Sequence, residues 1–225
     1  MNGDWLSPID GRYERYTADL RPYLSEKAFF RYRIFVEIAY LRALIDLPLP
    51  PLKKFPLSFV TSLYEIYENF GEEDFQHLRT LEARTRHDVK AIEYFLREKW
   101  GANLPEEHRY VLAFIHFGLT SQDVNTPAQA LMWRDALGKV YLPACEELLR
   151  KLHALAYAYR ELPMLGFTHG QPASPTTLGK ELYVFVARAR AEVERLVSIP
   201  FWTKMGGAVG NLNAHHLAFP EINWP

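Results

Sequence analysis

The feature that most limits the possible folds is a helical pattern of about 35 residues, from Val124 to Arg160, where an average globular helix has only ~10–14. Leu131, Leu137, Tyr141, Leu148, Leu152, Leu155 and Tyr159 mark one broad apolar side, as a helix face requires. Pro143 falls near the middle, where a missing N–H and a clash with the carbonyl one turn back predict a kink. Pro163 ends the run. A helix of this length points to a long bundle or an oligomer core.

Shorter helical patterns lie on both sides. Ser25 suits an N-cap for a run through Phe29, Tyr32, Val36, Ala39, Tyr40 and Ala43, stopped by Pro48, Pro50 and Pro51. A second run, near Ser58 to Phe70, has Gly71 as its C′ residue. Glu72, Glu73 and Asp74 favour the positive end of a third helix, which buries Phe75, Leu78 and Leu81. Asp88 is expected to cap a fourth, over Val89, Ile92, Phe95 and Leu96, and Pro105 to begin a short one ending at Gly118. After the long pattern, Phe167–Pro175 reads as a polar loop stiffened by Pro172 and Pro175, and Thr176 or Thr177 restarts a helix to about Ser198. No strand alternation of useful length and no internal repeat appears. The expected class is all-α: a helical N-terminal domain over 1–110, then the first, truncated part of a central long-helix bundle over 111–225.

Charge is balanced, 26 Lys+Arg against 27 Asp+Glu, so nothing in bulk electrostatics favours nucleic acid or an acidic membrane. No apolar stretch approaches the ~20 residues of a membrane helix, and the first residues resemble no signal peptide. One cysteine, Cys145, fits a reducing compartment. The expectation is a soluble cytoplasmic protein.

The eight histidines show neither His-x-x-x-His nor any Cys-x-x-Cys partner spacing, so no metal site is expected. Cys145 lies in mid-helix and no Gly-x-Ser-x-Gly elbow occurs, which leaves no nucleophile pattern. Acid–base chemistry on a polar small molecule remains. His169, between Thr168 and Gly170 with Gln171 beside it, is a positioned imidazole that titrates near neutral pH. His87 falls at a helix start, where free N–H groups suit an anion. Thr120 and Ser121 offer N-cap hydroxyls with Asp123 behind them. Taken alone, His87 reads as a capping-turn residue, Thr120–Ser121 as a well-capped helix start and His116 as a packed helix residue.

Five segments carry a resemblance: Ser7–Tyr13 (Ser-Pro-Ile-Asp-Gly-Arg-Tyr), Thr85–Phe95 (Thr-Arg-His-Asp-Val-Lys and onward), His116–Asn125 (His-Phe-Gly-Leu-Thr-Ser-Gln-Asp-Val-Asn), Thr168–Glu181 and Lys204–His215. In this order and spacing the chain resembles the adenylosuccinate lyase family of the fumarase/aspartase superfamily. The resemblance implies β-elimination of fumarate from adenylosuccinate to give AMP, and from the succinyl-carboxamide ribotide SAICAR to give AICAR. It implies no cofactor, a purine nucleotide substrate, and a homotetramer whose long helices form a shared bundle. His169 would be the acid that protonates the leaving nitrogen. Arg12 and Tyr13 would contact the nucleotide, and Arg86, His87 and Asp88 would line the pocket beside it. Thr120 and Ser121 would hold a substrate carboxylate, Gln171 would add an amide, and Lys90 would assist.

Two departures bear on this. Arg86 stands where some members carry asparagine and others arginine. The family's signature loop, Ser-Ser-x-Met-Pro-x-Lys-x-Asn, which supplies the serine base, does not occur in these residues. The resemblance therefore implies the N-terminal portion of such an enzyme, inactive by itself. An argininosuccinate lyase-like member and a non-catalytic helical fragment for nucleotide binding or assembly stand as alternatives. Part of a shared bundle exposes apolar surface and self-associates; sedimentation velocity checks this, and a compact, stable monomer is the contrary result.

Overall fold

The computed structural model describes residue 7, residues 9–47 and residues 49–224. Pro8 in the N-terminal turn and Pro48 at the first helix stop lie outside the described residues. The elements are α1 (Glu14–Thr17), α2 (Arg21–Leu24), α3 (Glu26–Asp46), α4 (Ser58–Glu68), α5 (Glu72–Thr85), α6 (Asp88–Gly101), α7 (Ser121–Ala136), α8 (Leu142–Ala158), β1 (Pro163–Thr168), β2 (Gln171–Thr177), α9 (Leu178–Ser198) and α10 (Asn213–Ala218). Short 3₁₀ helices fill Ala18–Leu20 and Glu106–Phe114. Among the described residues the chain is all-α apart from the β1–β2 hairpin, and no helix is long and apolar enough to cross a membrane.

The chain packs as two compact units, residues 1–133 with 202–225, and residues 134–201. These units do not coincide with the division expected near residue 110. Val111 and Ile115 share one core with α3 and α6, so packing continues across that point.

α3 organises the first unit. Ser25 caps it as expected, its hydroxyl accepting the Ala28 N–H at 3.1 Å. The sequence stripe predicts one buried face, but α3 buries two. Phe30, Ile34, Ile38 and Leu41 face Leu63, Leu78, Phe95 and Trp100. Ala28, Tyr32 and Val36 face Val89, Val124, Ala128 and Met132. A helix that buries two faces is a central one. Gly71 is not a C′ residue: it is the extended N-cap of α5 (φ −112°), and its N–H donates to Asp74 at 3.2 Å.

The long pattern is realised in two parts. Between α7 and α8 a π turn covers Leu137–Tyr141, with the Leu142 N–H reaching the Leu137 carbonyl. The turn ends just before Pro143, which has no N–H to give and a ring that crowds the carbonyl four residues back; widening the helix accommodates both. In the second unit α8 and α9 pack together while Leu148, Leu155, Phe185, Val197 and Ile199 stay exposed. The apolar surface expected from the sequence is present there.

Phe167–Pro175, expected as a loop, is most of a hairpin. Thr168 pairs with Gln171 and Pro163 with Thr177. His169 (φ 51°) and Gly170 (φ 74°) form the turn, both left-handed as a type I′ turn requires. Two prolines are tolerated because an isolated pair of strands is all edge.

Trp100 anchors the first core: it is fully buried, and its indole N–H lies 3.2 Å from both the Phe59 carbonyl and the Ser62 hydroxyl. Trp100→Ala is expected to cost about 3–5 kcal/mol, read as a lowered urea midpoint with an unchanged slope.

Candidate active site

His87, rather than the expected Asp88, caps α6. Its Nδ1 accepts the Lys90 N–H at 3.1 Å. The neutral ring must then carry its proton on Nε2, and Nε2 stands 3.4 Å from Ser121 Oγ. Arg86 closes α5 in the left-handed region (φ 53°), donating its N–H to Glu82 at 2.7 Å; this reversal turns the chain into α6. Asp88 faces inward. Its Oδ1 accepts the Val89 N–H at 2.9 Å, and its Oδ2 lies 2.6 Å from Arg33. Lys90 pairs with the buried Glu93 at 2.7 Å.

Arg33, on α3, is the residue that sequence reasoning missed. It is 5% exposed, its guanidinium carbon 3.6 Å over the Phe29 ring, and its Nε donates to Asn125 at 2.8 Å. One buried guanidinium therefore grips the start of α6 through Asp88 and the start of α7 through Asn125. That brings His87 beside Ser121. Burial lowers the Arg33 pKa against the opposing pull of Asp88, and a guanidinium keeps its charge under such conditions. Arginines at 31 and 33 amid Phe29, Phe30, Ile34 and Phe35 were the available signal.

At the start of α7, Asp123 is completely buried. It accepts the N–H of Thr120 (2.8 Å), the hydroxyl of Thr120 (3.0 Å) and the N–H groups of Gly206 (2.9 Å) and Gly207 (3.1 Å). Lys204 Nζ lies 2.8 Å from its Oδ1. Burial pushes this carboxyl up, but the Lys204 ammonium and the backbone donors outweigh it and hold the pKa below the ordinary carboxylate range. Lys204 also donates to Thr120 Oγ1 at 3.3 Å and to the Gly207 carbonyl, so its three protons are spent inside. Gly207 has φ 72°, a conformation that suits glycine.

Behind α7 lie two more histidines. His116 (φ 62°) is not simply packed: its Nδ1 is 2.6 Å from the buried carboxylate of Glu37. His215, 1% exposed, has Nε2 at 2.6 Å from the Tyr40 hydroxyl, which gives its own proton to the Phe117 carbonyl at 2.7 Å. Gly118 lies flat on that ring, where a Cβ would come within 2.5 Å of Cε1.

Arg12 and Tyr13 occupy the turn before α1, the guanidinium 5.6 Å from the Tyr13 ring centre. In the second unit, His169 is exposed at the hairpin tip with Gln171 opening β2. The hairpin base is fastened by the Leu178 N–H to Leu162 (3.0 Å) and the Gly179 N–H to Tyr159 (2.9 Å). A Cβ at Gly179 would lie 2.3 Å from the Ala156 carbonyl oxygen. Of the residues expected from the sequence, the first unit thus gathers His87 with Ser121, sets Arg86, Asp88 and Lys90 beside them in the chain, and turns Asp88 and Thr120 inward.

The sequence pattern of a family described as "Lyase" matches residues 11–222. The chain belongs to this lyase family. Among curated relatives of the family, adenylosuccinate lyase of Dictyostelium discoideum is 44% identical over 97% of this chain and 48% of its own length. Adenylosuccinate lyase of Escherichia coli (strain K12) is 40% identical with the same coverage. The chain thus spans about half the length of these relatives and corresponds to their N-terminal portion. Among solved structures, fumarate lyase from Mesorhizobium sp. BNC1 matches with TM-score 0.69 and 24% identity over 88% of this chain and 44% of that one. β-carboxy-cis,cis-muconate cycloisomerase from Acinetobacter calcoaceticus sp. ADP1 matches with TM-score 0.72 and 24% identity over 91% and 46%. Over the matched residues the chain shares the fold of these two enzymes.

The two buried acid–base pairs give opposite pH signatures. Burial lowers the His116 pKa, but its hydrogen bond and charge pairing with Glu37 raise it further, to above the ordinary value. Its contribution to stability is complete below the unfolded pKa of about 6.5 and is lost as pH rises through the folded value. Asp123, held low, contributes above about pH 3.9 and loses that as pH falls through its folded value. Urea unfolding across pH is expected to show both declines, with His116→Gln removing the alkaline one alone.

Proposed function

We propose that these residues are the N-terminal part of an adenylosuccinate lyase of purine nucleotide synthesis, cytoplasmic and homotetrameric, acting on adenylosuccinate and on SAICAR. The observation that carries the reading is the extent of the likeness: 44% identity to a protein of that name over 97% of the chain. The pairing of His87 and Ser121 at two helix starts supports it, because the helix dipole favours a carboxylate there.

In this reading a base removes the proton on the carbon β to the leaving nitrogen. That electron pair forms the carbon–carbon double bond of fumarate, and the C–N pair passes to the purine nitrogen. His169, as an imidazolium, protonates that nitrogen. Ser121 and the neutral Nε2–H of His87 hold a substrate carboxylate, with Gln171 adding an amide, while Arg12, Tyr13 and Arg86 serve the nucleotide. Thr120, Asp88 and Lys90 support the two helix starts. The base is the serine of the signature loop, which these residues do not contain.

The purified 225-residue chain is therefore expected to release no fumarate from adenylosuccinate, whereas the complete natural polypeptide carrying these residues releases it. In that polypeptide His169→Asn keeps a residue that accepts the left-handed turn and is expected to lower kcat about 10²–10⁴-fold. Fumarate formation followed by absorbance reads all three, and a wild-type rate from the asparagine variant removes His169 from the mechanism.

A further inference from the structure

The family resemblance gives Thr120 and Ser121 one shared task, yet the hydrogen bonds separate them. The Thr120 hydroxyl proton goes to Asp123 at 3.0 Å, its lone pair takes Lys204 at 3.3 Å, and its backbone N–H is spent on the same carboxylate at 2.8 Å. Among the described residues, Ser121 Oγ meets only a long 3.4 Å contact with His87 Nε2, outside the range of a strong hydrogen bond. A carboxylate placed between them would take the Nε2 proton and the Ser121 proton together.

Asp123 is what makes the difference. It has no surface with which to touch a ligand, and its negative charge three residues into the helix would otherwise oppose an incoming anion. Lys204 and three backbone N–H groups quench that charge. The same bonds tie the α7 start to Gly206 and Gly207, more than 80 residues away in sequence.

We infer that Asp123 is a positioning residue for carboxylate recognition: it draws Thr120 and the Gly206–Gly207 turn inward and leaves Ser121 and His87 as the pair that meets the substrate. This rests on the lyase reading above.

The test is steady-state kinetics with adenylosuccinate on the complete natural polypeptide, together with inhibition by fumarate and by AMP. Ser121→Ala is expected to raise KM and the fumarate inhibition constant about tenfold, and Thr120→Val to cost at least about fivefold less. Asp123→Asn places an amide N–H₂ against donors and is expected to weaken fumarate about tenfold while leaving AMP within about twofold. A merely structural role would weaken both inhibitors alike, and that result overturns the inference, as does an unchanged Asp123→Asn variant. If Asp123→Asn does not fold, the comparison of Thr120→Val with Ser121→Ala decides, and equal losses overturn the inference. A wild-type protein that releases no fumarate overturns the lyase reading and the inference with it; an active wild type with equal losses overturns the inference alone.

Discussion

A single buried cation, Arg33, is the constraint on which the first unit's polar architecture depends. It sits within α3, the helix of that unit that buries the most residues, where a charge is tolerated only when paired and hydrogen-bonded. Asp88 and Asn125 meet that demand from two different helices, and the Phe29 ring covers the guanidinium face. The planar fork of an arginine can grip two partners in fixed directions, as a lysine cannot. The energetic requirement of the cation thus becomes a geometric one: two helix starts are held at one place. Neither start would be so placed by apolar packing alone, because a core of Val89, Val124 and Ala128 is non-directional.

A second fastening acts at right angles to this in chemical terms, with a buried anion instead of a buried cation. Asp123 collects donors from its own helix start and from the Gly206–Gly207 turn. Glycine is needed because two successive backbone N–H groups must approach one carboxylate, and Gly207 does so with positive φ. The two fastenings share α7, through Asp123 and Asn125 among its first five residues. The first unit therefore contains a distant stretch of chain, 202–224, and among the described residues it does so without a sheet or a disulfide.

Much of the fold can be read in the residues themselves. The helical class, the Ser25 cap and the acidic start of α5 follow from local chemistry, which periodicity and capping rules capture. What escapes is whatever depends on a partner far along the chain. The double-sided burial of α3 needs knowledge of what lies on its second face, and the capping role of His87 emerges only once Asp88 is claimed by Arg33. The hairpin escapes for another reason: His-Gly is an uncommon type I′ pair, and prolines at 172 and 175 argue locally against strands. At the site, residue types at helix starts point to His87 and Ser121, while Arg33, Asn125 and the quenching of Asp123 require the third dimension.

Gly179 has a consequence that reaches to the far end of the hairpin. Strands of this length extend roughly 20 Å from their base, so the hairpin is a lever with its fulcrum where the α9 start touches the α8 backbone. A tilt of only about 3° at that fulcrum sweeps the tip by about 1 Å, the scale on which misplaced reacting groups lose rate. A missing side chain at residue 179 is thus a mechanical tolerance: the absent methyl sets the aim of an imidazole that it never approaches.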